Sequence, residues 1–282
     1  MFSCLLVNFF AAICLAAATP QSHWEELLYN TTSHIEIAWN SRHTYSSASP
    51  YPHAVFDGLF SHSFLKDICN EIIEDPNEAG CISGSTRCVK GVNARFKSAI
   101  NRESLMGSST SMMLNYLKSS RHIDFLEKLT GITNLIPDPG YFGSGIHVTS
   151  RHGFLKVHAD FNWYKKYSLS RRVNTFLYLN PDWNETFGGH LEMWNKDLNE
   201  CPQKILPAFG RYVVFSTTDF SYHGHPEPLA APPGRSRRSL ALYYYSNDQR
   251  PRDECLQNNC SKAHSTLYKN IPHRCDPSIR VR

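Results

Sequence analysis

The sequence predicts an α+β protein in which helices come first and a strand-rich core follows. Two observations carry this reading. Phe56, Phe60, Phe64, Ile68 and Ile72 recur at four-residue steps, the spacing of one helix face. From Gly140 the period changes to short runs rich in β-branched and aromatic residues, divided by turn signals such as RHG, PAFG and EPLAAPPG. That many short strands close most naturally as a sandwich or jelly roll.

The elements follow in order. Residues 1–18 are apolar from Phe2 apart from Ser3 and Asn8, and Ala16 and Ala18 fit a small-x-small cleavage site, so this stretch is expected to be a signal peptide. It lacks a cationic flank and is short for a spanning helix, and no later stretch is long and apolar enough to cross a bilayer, so no stable membrane span is expected. Residues 19–50 are polar and read as a loose lead-in. Residues 51–139 form the helical part. Ser61 is a candidate N-cap for the helix ending near Ile72, and a second helical region, SSTSMMLNYLKSSRHIDFLEKLTGI, ends near Gly131, a natural C-cap. Between them, residues 75–110 show no decisive pattern. Residues 140–249 carry the strands, and residues 250–282 form a polar, Cys-containing tail.

Composition bounds the function. The chain has 282 residues, 41% hydrophobic and 12% aromatic, enough for one sizeable domain. Its 29 basic and 25 acidic residues leave a net charge of +4, too small and too scattered an excess for a nucleic-acid partner. Cleavage of the signal would remove Cys4 and Cys14 and leave Cys69, Cys81, Cys88, Cys201, Cys255, Cys260 and Cys275. Their clustering suits disulfides in an oxidising lumen, and no paired CxxC pattern suggests structural zinc. Glycosylation sequons at Asn30, Asn184 and Asn259 point the same way, to the secretory pathway, either the endoplasmic reticulum lumen or secretion.

The chemistry lies among the strands. His158 and Asp160, in FLKVHAD, are two residues apart on a strand, so both side chains point to one face. They supply two-thirds of a two-His, one-carboxylate facial triad, the ligand set of non-haem iron oxygenases, which leaves positions open for a bidentate co-substrate and dioxygen. The third ligand must come from elsewhere, and His223 and His225 are the candidates. Zinc accepts the same ligands. Adjacent Arg237 and Arg238 open a later strand. An arginine facing a barrel interior demands an anion, and alternation lets only one of the two face inward.

In order, HADFN, RRVNTFLYLNPDW, FGGHLEMW, ILPAFGRYVVFSTTDFSYHGHPEPL and GRSRRSLALYYY resemble the prolyl 4-hydroxylase-like branch of the 2-oxoglutarate/iron(II) oxygenase superfamily, from about Phe154 to Ser246. YPHAVFDGLFSHSFLKDICNEII resembles the helix that precedes the family's core. The resemblance implies a double-stranded β-helix (jelly-roll) core with N-terminal supporting helices. It places the metal ligands on His158, Asp160 and His223, with His225 the alternative. It places the anchor of the 2-oxoglutarate 5-carboxylate on Arg237, with Arg238 facing outward, and a supporting hydroxyl on Tyr178. It further implies Fe(2+), 2-oxoglutarate and O2, with L-ascorbate as a reductant. The reaction it implies is hydroxylation of a substrate, a peptidyl proline in a protein or peptide, with succinate and CO2 as co-products.

Two features depart from the pattern. Collagen-type relatives carry a lysine at the carboxylate anchor where this chain offers only arginines, and the HGHPEPLAAPPG link is longer and richer in proline. Two other function classes use the same residues: a secreted metal-binding jelly-roll module without catalysis, and a zinc hydrolase.

Overall fold

The computed structural model describes residues 34–72, 87–248, 250–260 and 262–276. The expected signal peptide, the Asn30 sequon and Cys81 lie outside the described residues.

The helical layer comes first. Helix α1 (His34–Ser46) occupies part of the stretch read as a loose lead-in. Its buried face is His34, Ala38 and Tyr45, two polar-tipped rings and a small residue, so the sequence shows no apolar stripe there. A short strand, β1 (His53–Phe56), precedes α2 (His62–Glu71). The expected helix is therefore shorter than the apolar spacing implied. Phe56 closes β1, Gly58 turns the chain with φ +75°, and Ser61 caps α2 by accepting from the Phe64 N–H at 3.5 Å.

Residues 87–100 form a hairpin, β2 (Arg87–Lys90) and β3 (Ala94–Ile100), inside the stretch without a decisive pattern. The second helical region divides into α3 (Ser108–Leu117) and α4 (Ser120–Thr130). Ser119 caps α4, which ends at left-handed Gly131 with φ +75°.

The remaining strands are β4 (Ile136–Pro137), β5 (Gly145–Ala159), β6 (Trp163–Tyr164), β7 (Leu169–Tyr178), β8 (Leu191–Trp194), β9 (Gln203–Ile205), β10 (Tyr212–Ser216), β11 (Tyr222–His225), β12 (Arg237–Ser246) and β13 (Leu267–Tyr268). The thirteen strands among the described residues make one curled sheet with the path β1-β10-β7-β12-β5-β11-β8-β9, each neighbouring pair antiparallel. This is the jelly-roll, or double-stranded β-helix, core.

The strand β5 runs through the RHG segment that reads as a turn. His152 has φ +59°, and a Cβ on Gly153 would meet Thr149 Cγ2 at 2.6 Å and the Arg95 carbonyl at 2.7 Å, so the chain bends sharply without leaving the sheet. Before the bend β5 pairs with β12, and after it with β11, so one strand joins both halves of the roll.

Alternation then sorts the side chains. Leu240, Leu242 and Tyr244 of β12 join Ile146, Val148, Val173 and Leu177 against Leu65, Ile68, Met113, Leu117, Phe125 and Leu129 of the helices. Each such aliphatic or aromatic side chain contributes about 1.5–3 kcal/mol by burial. The alternate residues of β12 face the concave side. The polar tail does not stand apart: β13 pairs with β5, and disulfides join Cys201 to Cys275 and Cys255 to Cys260. Among the described residues no helix is long and apolar enough to cross a membrane.

Candidate active site

The concave face of the roll encloses a cavity of about 430 Å³. His158 and Asp160 enter it from the end of β5, and His223 enters from β11, where the register sets it opposite His158. All three are buried. His158 Nε2 lies 3.5 Å from Asp160 Oδ1, and His223 Nε2 lies 3.4 Å from Asp160 Oδ2. The two rings are 4.6 Å apart. Gly224 permits this approach: a Cβ there would sit 2.9 Å from the carbonyls of Leu155 and Lys156.

The donor set fits a divalent metal. The Nδ1 atoms of His158 and His223 lie 2.8 and 2.9 Å from the carbonyls of Lys156 and Ser221. A carbonyl only accepts, so each Nδ1 carries the proton and each Nε2 turns a lone pair toward Asp160. Burial holds the His223 imidazole down to about 4, below its ordinary 6.5, which keeps it neutral and able to bind a cation.

Asp160 is held from behind. Burial alone would raise its pKa, but the Arg171 guanidinium holds it well below the usual carboxylate range. Asn174 Nδ2 donates to Asp160 Oδ2 at 2.7 Å, and Arg171 Nη2 forms an ion pair with the same oxygen at 3.0 Å. Arg171 Nε donates to Asn174 Oδ1 at 2.8 Å, and its guanidinium lies 3.4 Å from the Tyr243 ring and 4.6 Å from the Phe161 ring. The sequence reading missed Arg171 and Asn174. Asn174 shares the inward alternation of Phe176 and Tyr178 and was open to discovery. Arg171 was not, because the β7–β12 register shifts between Tyr244 and Tyr245 and returns an odd-numbered residue to the inward face.

The other end of the cavity holds the second pair of expected residues. Arg237 Nε donates to the Gly189 carbonyl at 2.7 Å, and its Nη2 donates to the Tyr178 hydroxyl at 3.1 Å. Gly189 has φ +72°, and a Cβ there would meet Arg237 Cδ at 3.0 Å. Arg238 faces the helical layer instead, its Nη1 donating to the Cys69 carbonyl at 3.3 Å. His225 lines the cavity but takes no part in the His158–Asp160–His223 cluster.

The C-terminal segment closes one wall. Tyr268 pairs in register with His158, and their rings lie 5.4 Å apart. His264, Ser265 and Thr266 line the same wall. Asp219 staples this segment: it accepts from Leu256 N–H at 2.9 Å and forms ion pairs with Arg250 at 2.9 Å and His264 at 3.0 Å. Half-exposed Phe142 and Tyr268 stand at the rim.

Comparison with known proteins agrees with this geometry. Residues 144–245 match the family model described as the 2OG-Fe(II) oxygenase superfamily. A 79-residue segment, 27% of this chain and 14% of the relative, is 30% identical to prolyl 3-hydroxylase OGFOD1 of Mus musculus. A 141-residue segment, 46% of this chain and 25% of the relative, is 26% identical to prolyl 3-hydroxylase OGFOD1 of Xenopus laevis. The chain thus spans a quarter or less of the length of these curated relatives. The fold is similar to that of a prolyl hydroxylase of Trichoplax adhaerens solved with a hypoxia inducible factor oxygen degradation domain peptide fragment. That likeness has a TM-score of 0.52 and 18% identity, and covers 77% of this chain and 94% of that one. Residues 144–245, where an HxD strand and a distal histidine come to one face of a jelly roll, are thus similar to the 2OG-Fe(II) oxygenase superfamily.

Proposed function

We propose that the protein is an Fe(II)- and 2-oxoglutarate-dependent dioxygenase that hydroxylates a peptidyl proline and releases succinate and CO2. One observation carries the reading. A buried His158–Asp160–His223 cluster and a buried Arg237–Tyr178 pair face the same cavity. The cluster suits iron(II), and the pair suits the far carboxylate of a short dicarboxylate.

The chain's own residues have separable parts in this reading. His158, Asp160 and His223 hold the metal, whose bound chemistry is the activation of dioxygen at the expense of the 2-oxo acid. The backbone carbonyls of Lys156 and Ser221 fix the two imidazoles, and Arg171 and Asn174 fix the carboxylate. Arg237 and Tyr178 orient the co-substrate, which settles which of its ends reaches the metal. Phe161, Phe176, Leu191 and Tyr243 supply apolar parts of the cavity wall and restrict water. The substrate enters past the rim at Phe142 and Tyr268, and its assignment as a prolyl peptide is supported by the resemblance to prolyl hydroxylases.

A zinc hydrolase needs a base beside the metal. Asp160 is the single carboxylate lining the cavity among the described residues, while Glu192 is bonded to Trp194 Nε1 at 3.0 Å and does not line it. The secretory-pathway assignment is supported by the two disulfides and by exposed Asn184 and Asn259. The test is release of labelled CO2 from 2-oxoglutarate by protein supplied with iron(II) and L-ascorbate, with mass spectrometry of proline-containing peptides for an added oxygen. Decarboxylation that survives in His158→Ala would refute the site.

A further inference from the structure

Four of the five histidines that line the cavity have partners for their rings. His158 and His223 each face a carbonyl through Nδ1, His147 Nε2 lies 2.9 Å from the Gly143 carbonyl, and His264 Nε2 pairs with Asp219 at 3.0 Å. A fifth, His225, is unlike them. It is 4% exposed, and neither of its buried ring nitrogens has a hydrogen-bond partner from another residue. A buried imidazole without partners is costly, and such a group in a cavity wall marks the place of a ligand.

Its position indicates which ligand. His225 follows His223 by one strand repeat, about 7 Å along the same face of β11. It stands in register with Leu155, beyond the bulge that separates it from the metal cluster. Leu155 and Leu191 line the cavity beside it and offer no polar partner. Of the charged groups that act on it, Arg237 is the strongest, followed by Lys97, and both line the same cavity. A group bound at this end must be an acceptor, because guanidinium and ammonium groups only donate. Tyr178 already accepts from Arg237, so its own hydroxyl proton is free for the same acceptor. In either tautomer, imidazole has one N–H to give.

We infer that His225 is a co-substrate-binding residue that donates a hydrogen bond to the distal carboxylate of 2-oxoglutarate, alongside Arg237 and Tyr178. The inference rests on the dioxygenase reading and deepens it. The residue that rivals His223 as a metal ligand in the sequence thus belongs to the opposite end of the same co-substrate.

The experiment is equilibrium binding to the Mn(II)-loaded protein without oxygen, by titration calorimetry. The probes are 2-oxoglutarate and 2-oxovalerate, which shares the oxo-acid end and chain length but lacks the distal carboxylate. His225→Leu removes the donor and keeps bulk, and His225→Gln restores an N–H. A charge-assisted hydrogen bond predicts at least a tenfold loss of 2-oxoglutarate affinity in His225→Leu. Affinity for 2-oxovalerate should stay within twofold, and His225→Gln should fall between wild type and His225→Leu for 2-oxoglutarate. Unchanged 2-oxoglutarate affinity in His225→Leu, or equal losses for both acids, would overturn the inference. If the wild type binds 2-oxoglutarate and Arg237→Ala does not, the dioxygenase reading stands whatever His225 shows. If the wild type binds no 2-oxoglutarate, both fall.

Discussion

Asn174→Ala removes two hydrogen bonds and no charge, so it separates orientation of Asp160, the carboxylate proposed to hold the metal, from its ionisation. The amide is fully buried between the two charged groups it serves, donating to Asp160 Oδ2 at 2.7 Å and accepting from Arg171 Nε at 2.8 Å. Hydrogen bonds to charged groups contribute about 1.5–3 kcal/mol each, so their joint loss should destabilise the fold by about 3–6 kcal/mol. The Arg171–Asp160 ion pair at 3.0 Å survives, and with it the charge of the carboxylate. What is lost is the direction of Oδ2. Groups that orient a metal ligand are worth about 10–100-fold in metal affinity, or about 1.4–2.7 kcal/mol. Mn(II) titration followed by electron paramagnetic resonance reads the affinity, and urea unfolding reads the stability. If stability falls while Mn(II) affinity matches wild type, the amide serves packing alone and the orientation argument fails.

Two other perturbations test separate parts of the site. Arg237→Ala should weaken 2-oxoglutarate binding by two orders of magnitude or more with Mn(II) affinity retained, as expected for loss of a buried charge-assisted pair of about 3 kcal/mol. Arg238→Ala should leave 2-oxoglutarate binding unchanged, since its guanidinium contacts Cys69 on the helical side. A loss in Arg238→Ala with none in Arg237→Ala would place the strand register off by one. The third concerns pH. Burial alone would lower the His264 pKa, but the bond to Asp219 and the Ser265 carbonyl raise it above the ordinary 6.5. A raised folded-state pKa stabilises fully below 6.5 and loses its effect as pH rises through the folded value. The thermal midpoint of wild type should therefore exceed that of His264→Gln by more at about pH 5.5 than at about pH 8.5. A pH-independent gap in differential scanning fluorimetry would remove His264 as a charged staple of the C-terminal wall.

Much of the site was legible from local pattern. His158 and Asp160 share a face because a strand repeats every two residues, and that needs no knowledge of the partner strand. The same alternation separates Arg237 from Arg238, and the caps at Ser61 and Gly131 act within a few residues of themselves. Helix α1 was hidden because its inward face carries His34 and Tyr45, whose polar tips find partners only in the folded protein, as Tyr45 does in Ser216 at 2.8 Å. The choice between His223 and His225 required β11 to be laid against β5, where the bulge sets only His223 opposite His158. Arg171 required the register shift in β7, which defeats alternation, and the wall at His264 and Tyr268 required the tail to return to a strand more than a hundred residues earlier. Periodicity is a property of one segment and can be read from it. Bulges, cross-strand registers and returning tails depend on pairs of distant segments, and only the tertiary structure decides them.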